Sequence, residues 1–236
     1  MITQGAKRVN TYLALRPQAC KSHNDRRSIT MTTIVLVRHG HVEGIEPRRF
    51  RGRQETPLTE KGLRQAEQTA QRIAEAWGVR AIYSSPMGRC LTTARATAEA
   101  CGPTVETLPD LVDIDCGEWQ WQTYEAVHAA MPDAFALWFS APHLFRFPRG
   151  ESLQDLVARA ANVLRFAAER HPNDVIAMVG HESINRAILL QVLDQPLSSY
   201  WRLVQSPCGI SEILVEGNNV RVVRMNETGH LPPDLR

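Results

Sequence analysis

The chain has 236 residues, 43% hydrophobic and 22% charged, with a formal net charge of +2, an ordinary globular balance that excludes disordered and collagen-like chains. Of 27 Lys/Arg and 25 Asp/Glu, six bases and one acid (Asp25) fall in residues 1–30, leaving 21 bases and 24 acids from Met31 onward. The body is slightly acidic, so a nucleic-acid surface is not expected.

The first 30 residues, with Lys7, Arg8, Arg16, Lys21, Arg26 and Arg27, read as a basic, flexible N-terminal extension to a domain over 31–236. Its "TYLALRP" is too short and polar for a signal-peptide core. An Arg-rich, acid-poor tail suits an organelle transit peptide or translated sequence upstream of a true start at Met31, and the second reading is favoured. From there the pattern alternates. "TIVLVRH" is apolar throughout and predicts a central parallel strand. "LTEKGLRQAEQTAQRIAEAW" predicts a helix capped by Thr59, with Leu63, Ala66, Ala70, Ile73, Ala74 and Trp77 on one stripe. A short strand "AIYSS" follows, then a helix opening near Pro86 and running to Gly102. "VETL" is a brief strand, and "GESLQDLVARAANVLRFAAERHP" a long amphipathic helix stopped at Pro172. "DVIAMVGH" repeats the first strand, "SINRAILLQVL" is a helix, and two strands joined across Gly217-Asn218-Asn219 close the chain. The expected fold is an α/β three-layer sandwich, a mostly parallel central sheet flanked by helices.

Residues 116–150 break this alternation. They carry Trp119, Trp121, Trp138, Phe139, Phe145, Phe147 and three prolines, and predict an aromatic-rich cap insertion. An insertion there lies over the carboxyl ends of the strands, where open α/β sheets bind ligands.

Two apolar strands each end in histidine, at "LVRHG" and "AMVGH". In a parallel sheet both ends emerge on one edge, so His39 and His181 can meet. Arg38 adds a planar donor fork matched to phosphate oxygens. Gly40 leaves room where a ligand would approach the backbone. The helix after His181 offers N-terminal amides to an anion. The combination predicts a phosphoryl site.

These residues resemble the histidine phosphatase superfamily, the phosphoglycerate mutase-like and acid phosphatase-like proteins. "LVRHG" is similar to its signature. "GRQETPLTEKGLRQA", "YSSPMGRCLTTARATAE", "LVDIDCGEWQW", "PRGES" and "VGHESINRAIL" resemble further family segments in the family's order. The resemblance spans the chain from Met31 to the final strands. It implies His39 as nucleophile, forming a phosphohistidine, and Arg38, Arg89 and His181 as the clamp on the phosphoryl oxygens. It implies no metal and no other cofactor, because the arginines supply the positive charge. It places the general acid at Asp113, where the family commonly has glutamate. Asp115 and Glu118 are nearby competitors.

Other departures bear on the substrate. His41, Val42 and Ile45 stand where related proteins carry an acidic residue, a hydroxyl and an asparagine. Glu182-Ser183 replaces a pair of small residues after the second histidine, and Trp121 replaces a glycine. The mutase pattern "ERHYG" is absent, which favours hydrolysis of a small phosphorylated metabolite. A cofactor-dependent phosphoglycerate mutase and a non-catalytic phosphate-binding module stay as alternatives. Gly40, His41, Arg51, Arg53 and Glu182 are the expected substrate contacts. Arg48, Arg49, Arg51 and Arg53 in one loop, with Arg146 and Arg149, read either as recognition of a second anionic group or as solvated basic surface. The five scattered cysteines predict reduced thiols and a cytoplasmic setting. The expected partner is a small-molecule phosphate ester, with no nucleic acid and no membrane; a homo-oligomer is left open.

Overall fold

The structure is a computed structural model that describes residues 30–217 and 219–236. The predicted N-terminal extension therefore lies outside the described residues, apart from Thr30. The strands are β1 (Met31–Arg38), β2 (Ala81–Ser84), β3 (Val105–Thr107), β4 (Val175–Gly180), β5 (Ile210–Glu216) and β6 (Asn219–Glu227). The helices are α1 (Glu60–Ala76), α2 (Gly88–Cys101), α3 (Tyr124–Ala130), α4 (Pro132–Ser140), α5 (Leu153–Arg170) and α6 (Glu182–Val192). One sheet has the order β3-β2-β4-β1-β5-β6. Its first four strands are parallel, whereas β5 pairs antiparallel with β1 and β6 antiparallel with β5.

Strand alternation sorts β1 between two helical layers. Ile34 and Leu36 join Leu156, Val163 and Ile188 of α5 and α6. Val35 and Val37 join Ile73 of α1 and Cys90 and Ala94 of α2. That is the expected three-layer sandwich. The helix signals also hold: the Thr59 hydroxyl accepts from Gly62 N–H, and Ser152 with Asp155 forms a capping box on α5.

The predicted stripe of α1 needs correction. Leu63 and Ala74 are exposed, while Gln65 and Thr69 are buried with Ala66, Ala70 and Ile73. The C-terminal segment packs on this face and supplies polar partners. Gln65 donates to the Leu235 carbonyl at 2.6 Å, and Thr69 Oγ1 lies 2.9 Å from His230 Nε2. A stripe read from hydropathy alone misses polar side chains buried against such partners.

The insertion contains α3, α4 and short 3₁₀ turns. Trp119, Trp138, Phe145 and Phe147 are buried and pack edge-to-face or tilted around one another and Phe50. Most of the cap's aromatics therefore serve as its core.

Candidate active site

Strand register assembles the site. Arg38 lies opposite Gly180 in the parallel β1–β4 pair, so His39 and His181 leave the sheet side by side. Their ring centroids stand 5.2 Å apart, and both side chains are buried. His39 Nδ1 donates to the Gly40 carbonyl at 2.7 Å, which leaves Nε2 with the free lone pair. Burial first, then Arg89, the neighbouring His181 ring and Arg38, hold its pKa well below the ordinary imidazole value. A neutral ring with its second nitrogen fixed is what a nucleophile requires.

His181 caps α6. Its Nδ1 accepts from Arg89 Nε at 3.2 Å, so the ring proton sits on Nε2, 2.8 Å from Ser85 Oγ. Burial and then Arg89 depress its pKa too. Arg89 opens α2 at zero exposure. It donates to the carbonyls of Gln54 at 2.8 Å and Gly52 at 2.7 Å, and to Asp113 Oδ2 at 3.2 Å. Arg38 Nη1 donates to the Gln205 carbonyl and pairs with Glu182 Oε2 at 3.1 Å. Its Nε is buried with no acceptor among the described residues, a donor left for a ligand. Burial lowers the Arg38 pKa to about 10, with Glu182 opposing.

Asp113 is brought to this group by the segment after β3. Its Oδ1 accepts from Ile114 N–H at 2.9 Å and from the Ser183 hydroxyl, while Oδ2 faces Arg89. Asp115 and Glu118 are held elsewhere: Asp115 Oδ1 accepts from Gly117 N–H at 2.8 Å, and Glu118 pairs with exposed Arg149. Arg159 of α5 fastens the segment from below. It donates to the carbonyls of Asp110 at 3.0 Å, Val112 at 2.7 Å and Asp113 at 3.3 Å, and to Glu151 at 2.8 Å.

Three expected substrate contacts have other tasks. Arg53 points into the acid-bearing segment, donating to the Asp113 carbonyl at 3.2 Å and to Glu151 at 2.9 Å. The space beside Gly40 is taken by protein: a Cβ there would meet the Gly62 carbonyl oxygen at 2.5 Å. His41 bonds to Thr59 Oγ1 at 2.9 Å and, through its N–H, to Gln65 at 2.8 Å, so it fastens the start of α1. Arg51 and Glu182 do reach the site wall. Glu182 meets Arg38, Arg51 at 3.4 Å and Arg186 at 2.7 Å. Burial raises its carboxyl pKa, but those guanidiniums together hold it below the ordinary value. Beside the phosphoryl site lies a cavity lined by Arg49, Arg51, Asp113, Tyr124, Glu182, Ser183, Arg186 and Trp201, among others.

The remaining arginines are mostly committed. Arg49 donates to the Trp121 carbonyl at 2.8 Å and stacks on its ring, and Arg146 pairs with Asp155 at 2.7 Å. Sequence reasoning assigned no role to Ser85, Glu151, Arg159 or Ser183. For Ser183 a signal existed, the hydroxyl where a small residue is usual. Among the described residues no group of three His, Cys, Asp or Glu is placed to hold a metal ion. No helix among them is long and apolar enough to cross a membrane.

A mixed α/β sheet with two neutral histidines, two arginines and a carboxylate at its carboxyl edge defines a phosphoryl-binding α/β protein. The profile of the histidine phosphatase superfamily (branch 1) matches residues 34–228, and the chain belongs to that family. It is 31% identical over 201 residues to phosphoserine phosphatase 1 of Hydrogenobacter thermophilus, covering 85% of this chain and 95% of that protein. It is 33% identical over 164 residues to the metal-independent phosphoserine phosphatase of Arabidopsis thaliana, covering 69% of each. Among solved structures, Bacillus stearothermophilus YhfR superposes with a TM-score of 0.80 at 30% identity, over 84% of this chain and 98% of that one.

Proposed function

We propose that the chain is a metal-independent phosphomonoesterase working through phosphorylated His39. The observation that carries the reading is His39 itself: its Nδ1 is locked on the Gly40 carbonyl, so Nε2 keeps the lone pair, and the charges of Arg89 and Arg38 help hold the ring neutral. In the first step Nε2 forms a bond to phosphorus as the ester P–O bond breaks. The departing oxygen takes a proton from Asp113. In the second step water attacks phosphorus and gives a proton to Asp113 as the P–N bond breaks, releasing phosphate and neutral His39. Arg38 and Arg89 offset the charge of the equatorial oxygens, which is most of what phosphoryl transfer asks of a protein, and neutral His181 lines the same pocket as a dipolar neighbour. The cavity beside Asp113 takes the leaving group, a small alcohol. Phosphoserine is the first candidate, on the names of the two relatives. Among the described residues Cys90, Cys101, Cys116 and Cys208 form no disulfide, which suits a reducing cytoplasmic setting.

The test is His39→Ala in EDTA-containing buffer against a panel of phosphate esters. Wild type should turn over unaffected by chelator and yield an acid-labile, base-stable phosphoprotein; the variant should do neither while staying folded. Wild-type activity in the alanine variant, or chelator loss restored by Mg²⁺ or Zn²⁺, would remove the assignment.

A further inference from the structure

We propose that Ser183 is a catalytic residue that carries the proton between Asp113 and the leaving oxygen. The inference rests on the reading of Asp113 as the acid. The aspartate stands where related proteins commonly carry glutamate, so it reaches one methylene less into the site. Its carboxylate is also occupied. Oδ2 takes the Arg89 guanidinium at 3.2 Å and lies 3.6 Å from His181 Nδ1. Oδ1 takes the Ile114 N–H at 2.9 Å and the Ser183 hydroxyl.

Ser183 sits one turn-residue after Glu182 at the start of α6, and both it and Asp113 line the leaving-group cavity. Its Oγ also accepts the Ile114 N–H at 3.1 Å, which fixes the hydroxyl against the carboxylate. A hydroxyl donates and accepts at once. When the ester bond breaks, Ser183 gives its proton to the departing oxygen and takes one from protonated Asp113. When water attacks the phosphohistidine, Ser183 accepts the water proton and passes its own to the carboxylate. Each transfer leaves serine neutral, and the net proton moves between Asp113 and the substrate oxygen. The chain thus replaces a missing methylene with a bridging hydroxyl.

The experiment compares Ser183→Ala, Ser183→Thr and the double variant Asp113→Glu/Ser183→Gly on an alkyl phosphate and on p-nitrophenyl phosphate, with thermal melting as a control. Ser183→Ala should lose about 10²-fold in kcat/KM on the alkyl ester, at the low end of general acid catalysis, and little on the nitrophenyl ester. Ser183→Thr keeps the hydroxyl and should lose clearly less than Ser183→Ala on the alkyl ester; a loss as large as that of Ser183→Ala would count against the relay. Asp113→Glu/Ser183→Gly delivers the carboxylate directly and should recover most of the alkyl-ester rate. An unchanged alkyl-ester rate in Ser183→Ala overturns the relay, as do equal losses on both esters, which mark a structural role. If Ser183→Ala melts early, the double variant decides: no recovery overturns the proposal. Phosphoenzyme formation from p-nitrophenyl phosphate should persist in Ser183→Ala; its absence in wild type would sink the phosphohistidine reading instead.

Discussion

At the residue scale, the roles of Asp113 separate by leaving group. An alkoxide leaves only as it is protonated, whereas p-nitrophenolate departs with little help. Asp113→Asn keeps shape and removes the proton. It should cost on the order of 10²–10⁴ in kcat/KM for an alkyl ester and much less for the nitrophenyl ester. The same carboxylate activates water in the second step, so the good substrate should show a burst of nitrophenolate in stopped flow. Single-turnover phosphorylation, measured alongside, separates the two steps. If Asp113→Asn leaves the alkyl ester intact while Asp115→Asn destroys activity, the acid is misplaced. That His39, His181, Arg38 and Asp113 gather at one edge of the sheet was legible in the sequence, because strand ends and ordered motifs locate them. The direction of a side chain was not. Arg53 counts toward a basic loop in sequence, yet Asp115 and Glu151, 62 and 98 residues away, draw its guanidinium to the acid-bearing segment. Ser183 stood in plain view as a departure, but its meaning depends on Asp113, 70 residues earlier.

At the scale of elements, the nucleophile's position depends on how α1 docks against the turn after β1. Gly40 and Gly62 face each other there: a Cβ on Gly62 would sit 2.1 Å from the His41 carbonyl oxygen, and one on Gly40 2.5 Å from the Gly62 carbonyl oxygen. These atoms are backbone and cannot rotate away. Gly62→Ala must therefore push α1 off the turn. The expected cost is about 1–3 kcal/mol of stability, the usual range for overpacking, with a loss of kcat because His39 moves with the turn. Denaturant melts and steady-state kinetics on one preparation check both; unchanged values in each would show that the contact yields freely. The strands and helices were legible because their apolar periods are long and their caps conventional. The exposed and buried faces of α1 were not, because the C-terminal segment that covers Gln65 and Thr69 returns from more than 150 residues away.

At the scale of the whole molecule, the site sets how stability depends on pH. His39 and His181 are buried with pKa values held well below 6.5, chiefly by burial and then by Arg89. His230, lowered mainly by burial, has the same sign. In the unfolded chain these rings take up protons near pH 6.5; in the folded chain they stay neutral to lower pH. As pH falls below about 6.5 the unfolded state therefore binds more protons, and folding stability drops. Each such histidine adds a slope of up to about 1.4 kcal/mol per pH unit until its folded pKa is reached. Glu182 and Glu227, held below their ordinary carboxyl values against the pull of burial by arginines, extend the loss below about pH 4.5. No group in this set opposes the trend. The melting temperature should fall continuously from pH 7.5 to pH 5, and His181→Asn should flatten part of that slope by removing one buried titrating ring. The nucleophile's depressed pKa gives kinetics a different signature: single-turnover phosphorylation should keep its rate through pH 6.5, where an exposed imidazole would already be half protonated. A melting temperature that holds or rises toward pH 5 would mean that these rings accept protons in the folded state, and with them the neutral nucleophile would be lost.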